Sequence, residues 1–214
     1  MRFLEYLEFR WSHLLELMLE HAAITAVTVL IATVLGVGVG IATYRTERAR
    51  QVVVGIASVF LTIPSLALYG LLIGLLGLGA VPVVIALVLY SVLPILANTI
   101  VGLRGVDPAV VESAQGVGMG RAQRLLRIEL PLAWPVIITG MRVSTLIVIG
   151  IAAIGAYIKG PGLGNDIFTG LSRIGSPQAI NYVLGGVVGV IILAILFDLL
   201  YVLVNRLTTT RGIR

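Results

Sequence analysis

A polar island bearing arginines, ESAQGVGMGRAQRLLRIELP at residues 112–131, interrupts a chain otherwise built to dissolve in lipid. Its chemistry is that of a docking surface. Just before it, Asp107-Pro108 reads as a helix start: the aspartate can cap orphan amides, and proline at the first helical position has no amide to leave unpaired. A short helix from Pro108 to about Gln115 follows. Gly116, Gly118 and Gly120 then let the backbone turn and another surface come close. Arg121, Arg124 and Arg127 recur every third residue beside Leu125, Leu126 and Ile128, so a basic stripe runs next to an apolar one. Lipid phosphates explain that stripe in one reading, and contact with a cytosolic protein in the other. The second arm is expected to end at Leu130-Pro131, because a residue before proline avoids helical geometry, and Pro135 can start the next apolar segment.

Other residues able to do chemistry are few. Arg142 and Asp198 are ionisable groups inside apolar segments, where a lone charge is expensive, so each must reach water or a partner; a mutual pair and snorkelling to the interface are the two readings. Tyr69, Tyr90 and Tyr157 offer ring faces to a cation or, more simply, pack. His13 and His21 fall outside the apolar segments and are expected at the outer surface. No G-x-S-x-G elbow occurs, which removes an intramembrane serine protease from consideration. Cysteine is absent, excluding disulfides and thiolate metal sites. Lys159 is the only lysine and no G-x-x-x-x-G-K-S/T loop exists, so energy from ATP must come from another chain.

The elements that must hold these residues are membrane helices. Hydrophobic residues make up 58% of the 214 and charged ones 12%, with mean hydropathy +1.08, far from the roughly 25% charged of a soluble domain. An all-α integral membrane protein follows, a single domain over residues 1–214. Five apolar runs, at 22–43, 52–76, 80–103, 136–158 and 180–204, are each long enough to cross. Arg45, Arg48, Arg50, Arg104, Arg121, Arg124, Arg127, Arg206, Arg211 and Arg214 fall on one side, against Arg2, Arg10, Lys159 and Arg173 on the other. The positive-inside rule therefore puts the amino terminus outside, and the loop at 104–131 and the carboxyl tail in the cytosol. The net charge of +5 serves this orientation, and nucleic-acid binding is set aside.

Ahead of the first run, Leu4, Leu7, Trp11, Leu14 and Met18 form a stripe opposite glutamates, an amphipathic N-terminal helix that lies on the outer surface or packs on the spans. Pro64 and Pro94 interrupt the second and third runs. The pairs Gly36 and Gly40, Gly70 and Gly74, and Gly185 and Gly189 permit close helix approach.

The polar island resembles the loop by which permeases of ABC importers grip their ATPase, with the pattern E-A-A, three residues, G, nine residues, I, one residue, L-P. Here it falls on Glu112, Ser113, Ala114, Gly118, Ile128, Leu130 and Pro131, serine replacing the first alanine. LTIPSLALYGLLIGLLGLG from Leu61, LPILANTIVGLRGVDP from Leu93 and GPGLGNDIFTGL from Gly160 are similar to the osmoprotectant branch, which handles glycine betaine, choline and carnitine. Lys159-Gly160-Pro161 departs from the small residues expected at that point.

The resemblance implies a five-span permease in the cell (plasma or inner) membrane of a prokaryote. Its partners would be cytosolic ABC ATPase subunits, a second permease copy or paralogue, an extracytoplasmic substrate-binding protein and the lipid bilayer. It implies no cofactor in this chain, with ATP and magnesium held by the ATPase. Glu112 to Gly118 would be the coupling helix. Two other readings stay open: a permease for an amino acid such as methionine, and an ATP-independent channel or structural subunit.

Overall fold

A computed structural model describes residues 3–209, so Arg2, Arg211 and Arg214 of the charge argument lie outside the described residues. Helix α1, Phe3–Thr43, runs unbroken for 41 residues. At 1.5 Å per residue that is about 60 Å, twice the hydrocarbon thickness of a bilayer. The amphipathic segment expected ahead of the first span is thus the amino-terminal part of α1 itself, because nothing between Glu20 and Thr25 breaks a helix.

Its buried face also differs from the apolar stripe. Tyr6, Leu14 and Leu17 are buried whereas Leu4 and Trp11 are exposed. The reason is tertiary: Tyr6 and Arg10 turn toward a buried carboxylate, Asp166.

Arg45 follows α1, and then α2, Glu47–Thr62, and α3, Ser65–Leu76, meet at a 97° bend. Ile63 is extended, with φ −74° and ψ 127°, as a residue before proline prefers. The carbonyl that the break frees is used: Tyr90 Oη donates to Ile63 O at 2.7 Å. Two contacts fix where this bent pair runs. Glu47 at its start accepts from Arg104, whereas Gly79 just past its end donates to Ile158 O, at the far end of the molecule from Arg104. The pair therefore carries the chain from one face to the other, and with the four continuous apolar helices among the described residues gives five candidate crossings.

Helix α4, Ala80–Arg104, continues through Pro94. After α5, Pro108–Gly116, comes one continuous helix in four parts: α6, Arg121–Arg124; a π turn, Leu125–Glu129; α7, Leu130–Gly155; and a short 3-10 turn, Ala156–Ile158. The expected end at Leu130-Pro131 does not occur. Leu130 has φ −68° and ψ −45°, and its N–H reaches back to Leu125 O, so the wider π turn absorbs what proline would otherwise break. Pro135 likewise lies inside α7 instead of opening it.

Helix α8, Gly164–Ser172, and α9, Ala179–Thr208, complete the chain. The core lies where α1, α3, α4 and α7 meet, around Ile24, Tyr69, Leu87, Tyr90 and Val148, with a second cluster below it at Ala57, Leu96, Ile100 and Ile137. Close crossings rest on small residues: a Cβ on Gly36 or Gly40 would meet Ile95 and Thr99 of α4 within 2.9 Å. Gly70 and Gly74 have no such neighbour, so within this chain they are not packing positions. Only 6% of the apolar window of α9 is buried, leaving a wide face for lipid or another subunit.

Candidate functional site

The island folds into a projecting knob. Asp107 caps α5, its Oδ1 accepting from Ala109 N at 2.8 Å, with Pro108 at the first turn. Ser113 Oγ donates back to Ala109 O. Ala114 packs inward, while Glu112, Ser113 and Gln115 face out. Gly118 has φ +84°, which closes the turn: its N–H donates to Gln115 O, and that of Met119 to Ala114 O. A Cβ on Gly118 would meet nothing within 4 Å, so the requirement for glycine within this chain is backbone conformation. Ile128 and Leu130 are half-buried in the following helix, and Pro131 is exposed beside them. An exposed carboxylate and an open glycine turn thus stand on a rigid knob that a partner surface can clasp.

The arginine stripe separates in the structure. Arg121 and Arg127 are exposed, but Arg124 is only 6% exposed and donates Nε to Glu129 Oε1 at 2.8 Å. Neither lipid phosphate nor a partner explains it. Spacing alone does not separate the three arginines; Arg124 is set apart by its buried carboxylate partner, Glu129.

Glu129 is the residue that sequence reasoning missed. Buried to 3% exposure, it also accepts from Tyr44 Oη at 2.7 Å and from Arg45 Nη2 at 2.9 and 3.3 Å. Burial and the hydrogen bond to Glu129 push the Tyr44 hydroxyl above its usual range. The signal in the sequence was a carboxylate between Ile128 and Leu130 at the start of an apolar run, where a counter-charge is required.

Between α7 and α9 the structure brings Arg142 and Asp198 together. Their side chains keep 45% and 32% exposure, so this chain alone does not seal them. Beside the pair, Thr139, Arg142, Tyr201, Asn205, Arg206 and Thr209 help to line a cavity of about 310 Å³ between α7 and α9.

At the opposite end Asp166, 2% exposed, accepts from Tyr6 Oη and Arg10 Nη2, both at 3.0 Å. Arg10 lies 4.7 Å from the centre of the Tyr182 ring. His21 corrects the expectation of a surface position: it is fully buried, its Nε2 3.1 Å from Ile149 O. Tyr69 and Tyr90 are buried and hydrogen-bonded to backbone carbonyls, so their rings serve packing, whereas Tyr157 is 68% exposed beside Phe168.

A helical membrane unit with a projecting polar knob is the architecture of an importer permease, and the comparisons agree. Residues 14–210 match the family described as "Binding-protein-dependent transport system inner membrane component", and the chain belongs to that family. It is a permease component of binding-protein-dependent ABC import.

Among relatives, it is 40% identical to the choline transport system permease protein OpuBB of Bacillus subtilis (strain 168), over 98% of this chain and 95% of that one. It is also 40% identical to the glycine betaine/carnitine/choline permease protein OpuCB of the same strain, over 91% and 88%. The osmoprotectant import permease protein OsmW of Salmonella typhimurium (strain LT2) is 36% identical over 95% of each. The fold is similar to that of a chain in the inward-facing MetNI methionine ABC transporter, with TM-score 0.81, 21% identity, and 92% and 96% of the two chains covered.

Proposed function

We propose that this chain forms the membrane path for glycine betaine, choline or carnitine-type osmoprotectants. What carries the reading is the 40% identity to two Bacillus subtilis permeases with those substrates in their names, extending over nearly the whole chain. The fold likeness to a methionine transporter, at 21% identity, speaks to architecture and not to cargo.

In the proposed assembly, cytosolic ATPase subunits hold ATP and magnesium and clasp α5 through Glu112, Ser113 and the Gly118 turn. A binding protein delivers substrate at the opposite mouth. A second permease, a copy or a paralogue, covers the open face of α9. The exposed Arg142 and Asp198 support such a covering, because charges inside a span face a bundle interior or a water-filled cavity and not lipid.

The amino terminus is proposed to lie outside and the carboxyl end in the cytosol. Trp134 Nε1 donates to Thr208 Oγ1, which holds the end of α9 against the base of α7, near the knob and its arginines. Arg10 and Arg173 gather with Tyr182 at the other end.

The test is reconstitution of the chain with its ATPase and binding protein in proteoliposomes. ATP-driven uptake of radiolabelled glycine betaine or choline, suppressed by unlabelled glycine betaine, choline or carnitine, is the expected result. Suppression by methionine and by none of the three would move the chain to an amino-acid permease. Substrate flux that proceeds without ATP would make it a channel.

A further inference from the structure

We infer that Glu129 is a positioning residue for energy coupling, the joint through which displacement of α5 reaches the elbow between α1 and α2; this rests on the permease reading above. The argument begins with what α5 touches. It packs against α6 and the π turn, and a cavity of about 540 Å³ separates its Pro108, Val111, Glu112 and Gln115 from Tyr44 and Arg45 at the elbow. A push on α5 is delivered first to α6 and the π turn, the elements it packs against. That segment is continuous with α7.

Glu129 closes that segment and faces back across the cavity. Its carboxylate holds Arg124 of its own arm and, from residues 84 and 85 positions away in sequence, Arg45 and Tyr44. The elbow side is itself braced: Arg45 Nε donates to Tyr44 Oη at 2.6 Å, and the guanidinium sits 5.0 Å from the centre of the Tyr44 ring. Charge-assisted hydrogen bonds to a buried carboxylate are short and directional, which suits a joint that must transmit displacement without slack.

Beyond the elbow lies the bent pair of α2 and α3, broken by 97° between Thr62 and Ser65. A motion entering at α5 thus reaches two spans at once, α7 along its own axis and α2 through Glu129. A purely structural buried ion pair would serve equally well anywhere in the bundle. This one joins the first cytosolic turn to the coupling loop and sits inside a π turn, a geometry that recurs at functional sites.

The experiment uses the complete transporter, with its ATPase and binding protein, in proteoliposomes loaded with ATP. Glu129→Gln, Glu129→Asp and Tyr44→Phe are compared by uptake per ATP hydrolysed, per amount of monodisperse complex. Losing the buried charge in Glu129→Gln is expected to lower uptake per ATP about tenfold, and the single hydrogen bond lost in Tyr44→Phe to lower it about threefold. Hydrolysis should persist at its resting rate but cease to rise with substrate-loaded binding protein, copurification of the ATPase should be unchanged, and Glu129→Asp should recover part of the loss. Tyr44→Phe removes one hydroxyl without changing ring volume, so it keeps the inference testable if the Glu129 variants assemble poorly. Unchanged uptake per ATP in Glu129→Gln and Tyr44→Phe, or uptake and hydrolysis falling together in proportion to folded complex, would overturn it and leave the permease reading intact. Absence of ATP-driven uptake with the unaltered chain would overturn the permease reading, and this inference with it.

Discussion

Arg142 donates two hydrogen bonds to Asp198, Nε to Oδ1 at 2.5 Å and Nη2 to Oδ2 at 2.7 Å, across 56 residues of sequence and between two spans. The fork geometry gives the α7 and α9 contact a direction that apolar packing lacks. Removing one partner leaves an orphan charge at membrane depth; removing both does not. Arg142→Leu and Asp198→Leu should therefore each lower the thermal midpoint of purified protein by several degrees, and the double variant by less than the sum. Strictly additive losses would mean that the pair contributes nothing as a pair.

The orientation proposed from the charge distribution can be tested chemically. The chain has no native cysteine, so Ser12→Cys and Gln123→Cys, both at exposed positions, report without background. In intact cells a membrane-impermeant maleimide should label position 12 and spare position 123 until the membrane is opened. The reverse pattern would invert the protein and remove the knob from the ATPase.

Gly118 lies at φ +84° on the exposed turn. Valine there is strained by its branched Cβ, and it also holds an approaching surface away. Gly118→Val should reduce ATP-driven uptake by at least tenfold while membrane insertion remains normal, since the turn lies outside the spans. Glu112→Lys should weaken copurification of the ATPase more than Arg121→Ala does. Normal substrate-stimulated hydrolysis and uptake in both Gly118→Val and Glu112→Lys would show that the knob transmits nothing.

At the bend between α2 and α3, Tyr90→Phe removes the donor from the Ile63 carbonyl. A part-buried hydrogen bond of this kind contributes about 0.5–1.5 kcal/mol, so the variant should unfold a few degrees lower in detergent while its expression and insertion stay near normal. An unchanged midpoint would mean that water or a shifted neighbour takes the hydroxyl's place.

What was legible in the sequence is what a single helix or loop decides for itself. Apolar length implied crossings, Asp107-Pro108 implied a capped start to α5, and glycine at 118 marked a turn whose φ is positive, because caps, turns and transfer into lipid depend on neighbours within a few residues. Periodicity misled where a partner outweighed it: the amino-terminal part of α1 turns Tyr6 and Arg10 inward to Asp166, and so leaves Leu4 and Trp11 exposed. The same holds for Leu130-Pro131, where local preference called for an end and the π turn carried the helix on. Only the tertiary structure decided that Arg124 is buried on Glu129 and that Arg45 and Tyr44 close the same carboxylate. Charge counting treats arginines alike, whereas which of them meets a buried acid depends on how helices distant in sequence pack.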